Sequence, residues 1–247
     1  MKEWITGRNP VFETLRARRR YYFRLQVAAG VEEKGRLEEI LQMAASLKIP
    51  VTRVQRQTLD SLSDSHQGVA LETSAYAYSN LADILDLAEE RQEPPFILVL
   101  DLLQNPQNLG TLMRTAEAVG VHGILIPLRR AAGITPAVVH ASSGASEHLP
   151  VAQVNPAQAL DTLKQDAGVW VMGLEGSPDA QPYDTARLDG PLAIIVGSEG
   201  EGMRALVRHS CDLLLSLPMR GNIESLNAAV AGSIILYKAL SDRQRRK

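Results

Sequence analysis

Phe96-Ile97-Leu98-Val99-Leu100 is an unbroken apolar run, short enough for a strand and bounded by Pro95 and Asp101. A strand buried on both faces reads this way. It opens a series. Helical patterning covers 108–119, a strand 123–126, a helix 157–164 and a strand 169–173. A strand over 192–196, a short helix over 203–209, a strand over 213–217 and an apolar helix from Ala228 follow. Strands that alternate with helices predict an α/β architecture: a mostly parallel sheet covered on both faces. Open sheets of this kind bind ligands beyond the carboxyl ends of their strands. The residues just after each strand are therefore the place to look for chemistry.

The chain ahead of this series predicts a separate small α/β unit over residues 1–73. Gly7-Arg8-Asn9-Pro10 reads as a turn into a helix, with Asn9 as N-cap and Pro10 as first helical residue. A strand over 23–29, a helix over 32–47, a strand over 51–54, a short helix over 58–62 and a strand over 69–72 complete it. A linker is expected over 74–92, carrying a helix at 81–90, and the second domain over 93–247. The net charge of −2 hides an asymmetry. Residues 1–73 hold twelve Lys and Arg against nine Asp and Glu, while the remainder is acidic. Arg8, Arg16, Arg18, Arg19, Arg20 and Arg24 cluster early, and Arg243, Arg245, Arg246 and Lys247 form a basic tail. A basic lobe on an acidic body points to a polyanionic partner held by one end. Cys211 is the only cysteine, which excludes an intrachain disulfide and a Cys-x-x-Cys metal site. Met1–Arg24 is polar and basic, and no apolar run reaches the ~18 residues of a membrane span. A cytoplasmic protein without a membrane anchor is expected.

Three stretches carry candidate chemistry. Asn105-Pro106-Gln107-Asn108-Leu109-Gly110 opens a helix, with Asn108 as the expected cap, Gly110 allowing close approach, and Arg114 offering a guanidinium suited to phosphate. Gly197-Ser198-Glu199-Gly200-Glu201-Gly202 follows a buried strand. It matches neither a Walker loop nor Gly-x-Gly-x-x-Gly. Its carboxylates would repel a pyrophosphate and favour a ligand with donors: a ribose, an ammonium or an amide. The third runs from Leu213 to Asn227. Pro218 stops a strand, Gly221 permits a turn, and Ser225 is the expected cap of the final helix. A loop of this kind, lined with main-chain donors and acceptors, suits an adenine; an ordinary strand-turn-helix crossover would read the same way.

In order and separation the three resemble the sequence motifs of the SpoU (TrmH-type) branch of the SPOUT RNA 2′-O-ribose methyltransferases. The matching residues are Asn108-x-Gly110-x-x-x-Arg114, then Val196-Gly197-Ser198-Glu199-Gly200-x-Gly202, then Leu217-Pro218-Met219-x-Gly221-x-x-x-Ser225-Leu226-Asn227. The first unit, through Gly7-x-x-x-Val11 and His66-Gln67-Gly68, resembles the substrate-binding domain of that family. The layout is most similar to the RlmB type, which modifies a guanosine of 23S ribosomal RNA. Many relatives have Asp-Pro where this chain has Asn105-Pro106; asparagine keeps the hydrogen-bonding tip and loses the charge.

The resemblance implies a parallel sheet whose C-terminal part is tied in a trefoil knot, something no periodicity reveals. It implies S-adenosyl-L-methionine as cofactor, held at Gly197, Leu217 and Leu226. It implies Arg114 at the reacting ribose, with Asn108, Glu199, Ser225 and Asn227 positioning it, and no metal. A guanidinium is a poor base, so Arg114 is more readily a stabiliser of developing charge than a proton acceptor. A homodimer is implied, with the helix from Ala228 to Leu240 as a candidate surface. Arg8, Arg18, Arg19 and Arg20 become candidates for contact with RNA phosphates. Transfer RNA, a resistance-type site on ribosomal RNA, and a non-catalytic RNA-binding or assembly role on the same fold are the alternatives.

Overall fold

Arg20 shows how the first part of the chain is held together. The computed structural model describes residues 2–129, 132–223 and 225–245; Glu224 of the third motif and Arg246 and Lys247 of the basic tail lie outside them. Two units are present. The first contains the chain up to Ala77 and also Gly133–His148, a segment that the sequence reading placed in the second domain. Arg20 explains the return. Its Nε and Nη2 donate to the two carboxylate oxygens of Glu147 at 2.8 and 2.7 Å. Its Nη1 donates to Glu3 and to the Ser74 carbonyl, at 2.8 and 3.0 Å. The side chains of Arg20 and Glu147 are fully buried. Burial alone would loosen the guanidinium proton, but Glu147 and then Glu3 outweigh it and push the pKa up. Arg20 is thus used inside the fold and is closed to a phosphate, which corrects its assignment to RNA. Nearby, His148 Nε2 lies 2.7 Å from Glu13. Gly144, at φ +90°, has no room for a Cβ, which would meet Glu13 Cβ at 2.6 Å.

The elements of this unit ahead of the returning segment are β1 (Lys2–Thr6), α1 (Arg8–Ala17), β2 (Tyr22–Ala28), α2 (Arg36–Ser46), β3 (Val51–Val54), α3 (Arg56–Asp60) and β4 (Val69–Ser74). The sheet order is β1-β4-β2-β3. β1 was not foreseen. Its antiparallel partner β4 also pairs antiparallel with β2, which runs parallel to β3. The helix α1 starts at Arg8 behind Gly7, at φ +93°, and not behind Asn9.

The second unit contains Tyr78–Ala132 and Leu149–Lys247. The expected linker is therefore divided: residues to Ala77 finish the first unit, and the helix α4 (Leu81–Glu90) belongs to the second. There follow β5 (Phe96–Leu100), α5 (Pro106–Ala118), β6 (Gly123–Pro127), then, beyond the helix α6 (Pro136–Ala141) of the first unit, β7 (Val151–Val154), α7 (Pro156–Ala167), β8 (Trp170–Leu174), β9 (Gln181–Pro182), β10 (Leu192–Val196), α8 (Ala205–His209), β11 (Leu213–Ser216) and α9 (Ala228–Arg245). The seven strands form one parallel sheet in the order β7-β6-β5-β10-β8-β11-β9. Ile97, Val99, Ala193 and Ile195 alternate along β5 and β10 and pack against Ile84 of α4, Leu160 and Leu163 of α7 and Val207 of α8. The helices α5 and α9 pack on each other, with Thr115 and Ser233 hydroxyls 2.9 Å apart. A Cβ at Gly232 would meet Leu112 at 2.6 Å, so the glycine sets how closely these helices approach. Arg243 of the basic tail points inward: it donates to the carbonyls of Pro94, Pro95 and Gly190 and lies over the Phe96 ring. Among the described residues no helix is long and apolar enough to cross a membrane.

His122 makes the stability of this unit pH-dependent. The ring is fully buried, and Nδ1 accepts from the Phe96 N–H at 3.0 Å. Burial lowers its pKa, with Arg91 and Arg243 acting in the same direction and Glu93 against. The unfolded chain takes up a proton near pH 6.5, whereas the folded chain resists it. Stability is therefore full above pH 6.5 and falls as the pH drops below it, by at most ~1.4 kcal/mol per pH unit. Urea unfolding at pH 7.5 and 5.5 should show a larger loss in the wild type than in His122→Gln. Equal losses would remove His122 as the cause.

Candidate functional site

The carboxyl ends of β10, β8 and β11, neighbours in the sheet, surround a cavity of about 530 Å³. That is within the ~300–1,000 Å³ of small-molecule sites. Three segments form its walls: Leu174–Gly176 after β8, Val196–Gly202 after β10, and residues from Leu217 to Ala231 after β11. The second is a closed loop. Ser198 N–H donates to Gly202 O at 3.0 Å and Gly202 N–H returns to Ser198 O at 3.1 Å. Gly200 and Gly202 supply the positive φ that the turn needs, +96° and +68°. Gly197, Leu217, Leu226 and Ser225 all line the cavity, as does Glu199. The first wall was missed from the sequence, although Glu175-Gly176 stands one residue beyond the expected strand over 169–173. Glu175 is held by Arg208, whose Nε lies 3.0 and 3.1 Å from its two oxygens.

Asn108, Glu199 and Asn227, drawn from the three separate motifs, meet in one hydrogen-bond network. Glu199 Oε1 accepts from Asn108 Nδ2 at 2.9 Å, from Asn227 Nδ2 at 2.5 Å and from the Ala228 N–H at 3.3 Å. Asn227 Nδ2 also donates to Asn108 Oδ1 at 3.0 Å. Asn227 Oδ1 accepts from the N–H groups of Ala229 and Val230, at 2.9 and 3.2 Å. Asn227, not Ser225, therefore caps the final helix, and Ser225 is left exposed on the cavity wall. A carboxylate at a helix N-terminus is favoured by the orphan N–H groups and the helix dipole.

Asn108 is likewise not a cap. The helix α5 begins at Pro106, and Asn105 Oδ1 accepts from the Gln107 N–H at 2.8 Å. Asn108 is released for the Glu199 network. The same observation explains what Asn105 does in place of aspartate, since both residues cap well. Asn105→Ala should lower the unfolding free energy by ~1 kcal/mol, while Asn105→Asp should hold it or raise it by a few tenths through the dipole. Urea midpoints of the two variants decide this; equal losses would mean the charge-neutral amide has a role beyond capping.

Arg114 lies on the exposed side of α5 with Gln107 and Thr111, six residues and ~600° of helical rotation beyond buried Asn108. It does not line the cavity. Of the arginines read as RNA contacts, Arg18 is exposed and ends α1 in the left-handed region. Arg8 is half-buried; its Nε donates to Gln67 O at 3.3 Å and its N–H to Gln67 Oε1 at 2.9 Å. Arg19 reaches Tyr76 Oη and Ala77 O at 3.3 and 3.4 Å.

The arrangement can seat a flat, donor-rich molecule in a cavity lined by apolar Leu217 and Leu226, by main-chain groups of a tight loop and by two carboxylates: Glu175, paired with Arg208, and Glu199, whose Oε1 is taken by the network. Residues 95–237 match the family model described as the SpoU rRNA Methylase family, and residues 4–79 match that for RNA 2′-O ribose methyltransferase substrate binding. A Bacillus subtilis protein named YacO, assigned by name to the TrmH family of tRNA/rRNA methyltransferases, is 44% identical over 245 residues, covering 98% of this chain and 96% of that one. A solved structure described as an RNA 2′-O ribose methyltransferase aligns with TM-score 0.76 at 27% identity, over 98% of this chain and 89% of that chain. The SpoU methyltransferase AviRb of Streptomyces viridochromogenes, solved with AdoMet, aligns with TM-score 0.82 at 24% identity, over 100% of this chain and 91% of that chain, a likeness of fold.

Proposed function

The chain belongs to the SpoU rRNA methylase family of RNA methyltransferases, and from that premise we propose that it methylates a ribose 2′-hydroxyl in RNA, in the cytoplasm, with S-adenosyl-L-methionine as donor. The observation that carries the proposal is the cavity at three adjacent strand ends, where Glu199 of the lining is hydrogen-bonded to Asn108 and Asn227 behind it. Its size, its apolar pair of leucines and its carboxylates fit an adenosine carrying an ammonium and a sulfonium. When bound, the cofactor supplies a methyl group already activated by positive sulfur.

The residues divide the remaining work. Gly197, Leu217 and Leu226 hold the adenosine. Glu199, fixed by three donors, and Asn227, fixed as a cap, form a rigid rim that holds Asn108 and orients the incoming ribose together with Ser225. Arg114 faces solvent, where a polynucleotide can reach it, and stabilises negative charge developing on the 2′-oxygen. The proposal extends to a trefoil knot in the second unit and to a homodimer through α9, where Val230, Ile234 and Tyr237 repeat at helical spacing and are exposed. Arg8, Arg18 and Arg19 of the first unit are proposed phosphate contacts.

Ribosomal RNA, and within it a 23S guanosine, is the proposed substrate, on the resemblance of the whole layout to the RlmB type. Unmodified 23S ribosomal RNA and transfer RNA transcripts should be incubated with methyl-labelled cofactor and digested to nucleosides. Label in 2′-O-methylguanosine from 23S RNA is expected. Label only from transfer RNA would replace the substrate, and label on a base, or none with RNA bound, would overturn the reaction.

A further inference from the structure

We propose that the open half of the first unit's sheet is a stacking platform for single-stranded RNA, formed by Trp4 and Phe23 with Lys2 and Arg24; this rests on the reading of the chain as an RNA-modifying protein. The register places Trp4 beside Glu72 and Glu72 beside Arg24, in one row across β1, β4 and β2. Alternation puts Lys2 and Gln26 on the same face. The other half of that face is closed by Leu59 of α3, packed with Ala28 and Ala70. Ahead of it Trp4 is half-buried, with one side packed against that cluster, and Glu72 is buried, while Arg24, Phe23 (38%) and Tyr21 just before the strand (81%) are exposed. An irregularity in the pairing between Tyr22 and Arg24 displaces Phe23.

Each aromatic ring carries a cation. Lys2 Nζ sits 4.3 Å from the Phe23 centroid, and the Arg24 guanidinium 5.2 Å from that of Trp4. Both cations share one carboxylate, Glu72, with Arg24 Nε at 2.9 Å and Lys2 Nζ at 3.6 Å. Two positive charges against one negative leave a surplus for phosphate. Glu72 meanwhile holds the long side chains in place, so little ordering remains to be done on binding. Gln26, next to Arg24 on this face, is 8% exposed and marks the platform's closed inner edge. Exposed rings interleaved with cations on a sheet recognise unpaired bases, whose faces stack while their phosphates meet the charges. A duplex hides its base faces and would not use the rings.

The test uses the full chain carrying Trp170→Phe, so that Trp4 is the sole tryptophan and is excited selectively over the tyrosines. The probe is a single-stranded oligoribonucleotide of about twelve nucleotides, with a hairpin of the same composition alongside. Quenching of Trp4 by the single strand is expected. Phe23→Leu, which keeps an apolar contact and removes the ring, and Arg24→Gln should each weaken binding about tenfold. Unchanged melting temperature and unchanged S-adenosyl-homocysteine affinity in both variants establish that the fold is intact. RNA binding by the wild type that neither variant weakens, or equal affinity for the hairpin without quenching, overturns the platform and leaves the methyltransferase reading standing. A wild type that binds neither RNA overturns both.

Discussion

Arg114→Ala is expected to lower turnover by about 10²–10³-fold, the usual cost of removing one donor aimed at developing charge, while cofactor affinity stays within about twofold of wild type. The split follows from position. Arg114 is outside the cavity lining and on the exposed side of α5, so a bound cofactor has no contact with it to lose. RNA approaching from solvent does. Arg114→Lys should recover only part of the loss, because an ammonium cannot present the planar pair of donors of a guanidinium. Gln107→Ala, on the same exposed side, should change turnover little. Single-turnover methylation and calorimetry with S-adenosyl-homocysteine measure the two quantities. A tenfold loss of cofactor affinity in Arg114→Ala would move this residue from the reaction to the binding of the donor.

Gly197→Ala is expected to do the reverse and remove cofactor binding, by about 100-fold or more. An added Cβ would lie 2.4 Å from Gly202 C, 2.6 Å from Gly202 O and 2.6 Å from Met203 N. All three are backbone atoms, which cannot turn aside as a side chain can. The reciprocal Ser198–Gly202 bonds must open, and each is worth ~1 kcal/mol. With the cradle's shape lost as well, a deficit of ~3 kcal/mol corresponds to the stated change in affinity. The strand beneath, β10, is paired on both sides by β5 and β8, so the fold should survive. Circular dichroism and calorimetry together would show this; near-normal affinity in a folded Gly197→Ala protein would mean that the loop does not shape the site.

The strands of the second unit were readable because a parallel sheet needs apolar residues on both faces, and runs such as Leu192–Val196 advertise that. Lys2–Thr6 gave no such signal: it is an edge strand of a small sheet, with charged and aromatic residues on the face it leaves open. The caps failed for a different reason. Asn105 and Asn108, and again Ser225 and Asn227, are pairs of eligible residues a turn or less apart, and local pattern does not say which caps: Asn105 caps and leaves Asn108 to Glu199, whereas Asn227 both caps and meets Glu199. The return of Gly133–His148 to the first unit was beyond local pattern, since Glu147 and Arg20 are 127 residues apart. The same pairing removed Arg20 from the phosphate contacts, because a sequence shows that an arginine is present and not whether a carboxylate is waiting for it in the core. The three motifs were legible as chemistry only through their likeness to a family; the hydrogen bonds that join Asn108, Glu199 and Asn227 are a tertiary fact.

The site stands or falls on what occupies the space between the loop at Gly197–Gly202 and the segment from Leu217 to Leu226. A crystal structure of the wild-type protein with S-adenosyl-homocysteine addresses it directly. The expected density places the adenine between Leu217 and Leu226, against the main chain of both loops. Adenosine bound elsewhere on the chain, or a cavity that stays empty at saturating ligand, would contradict the account.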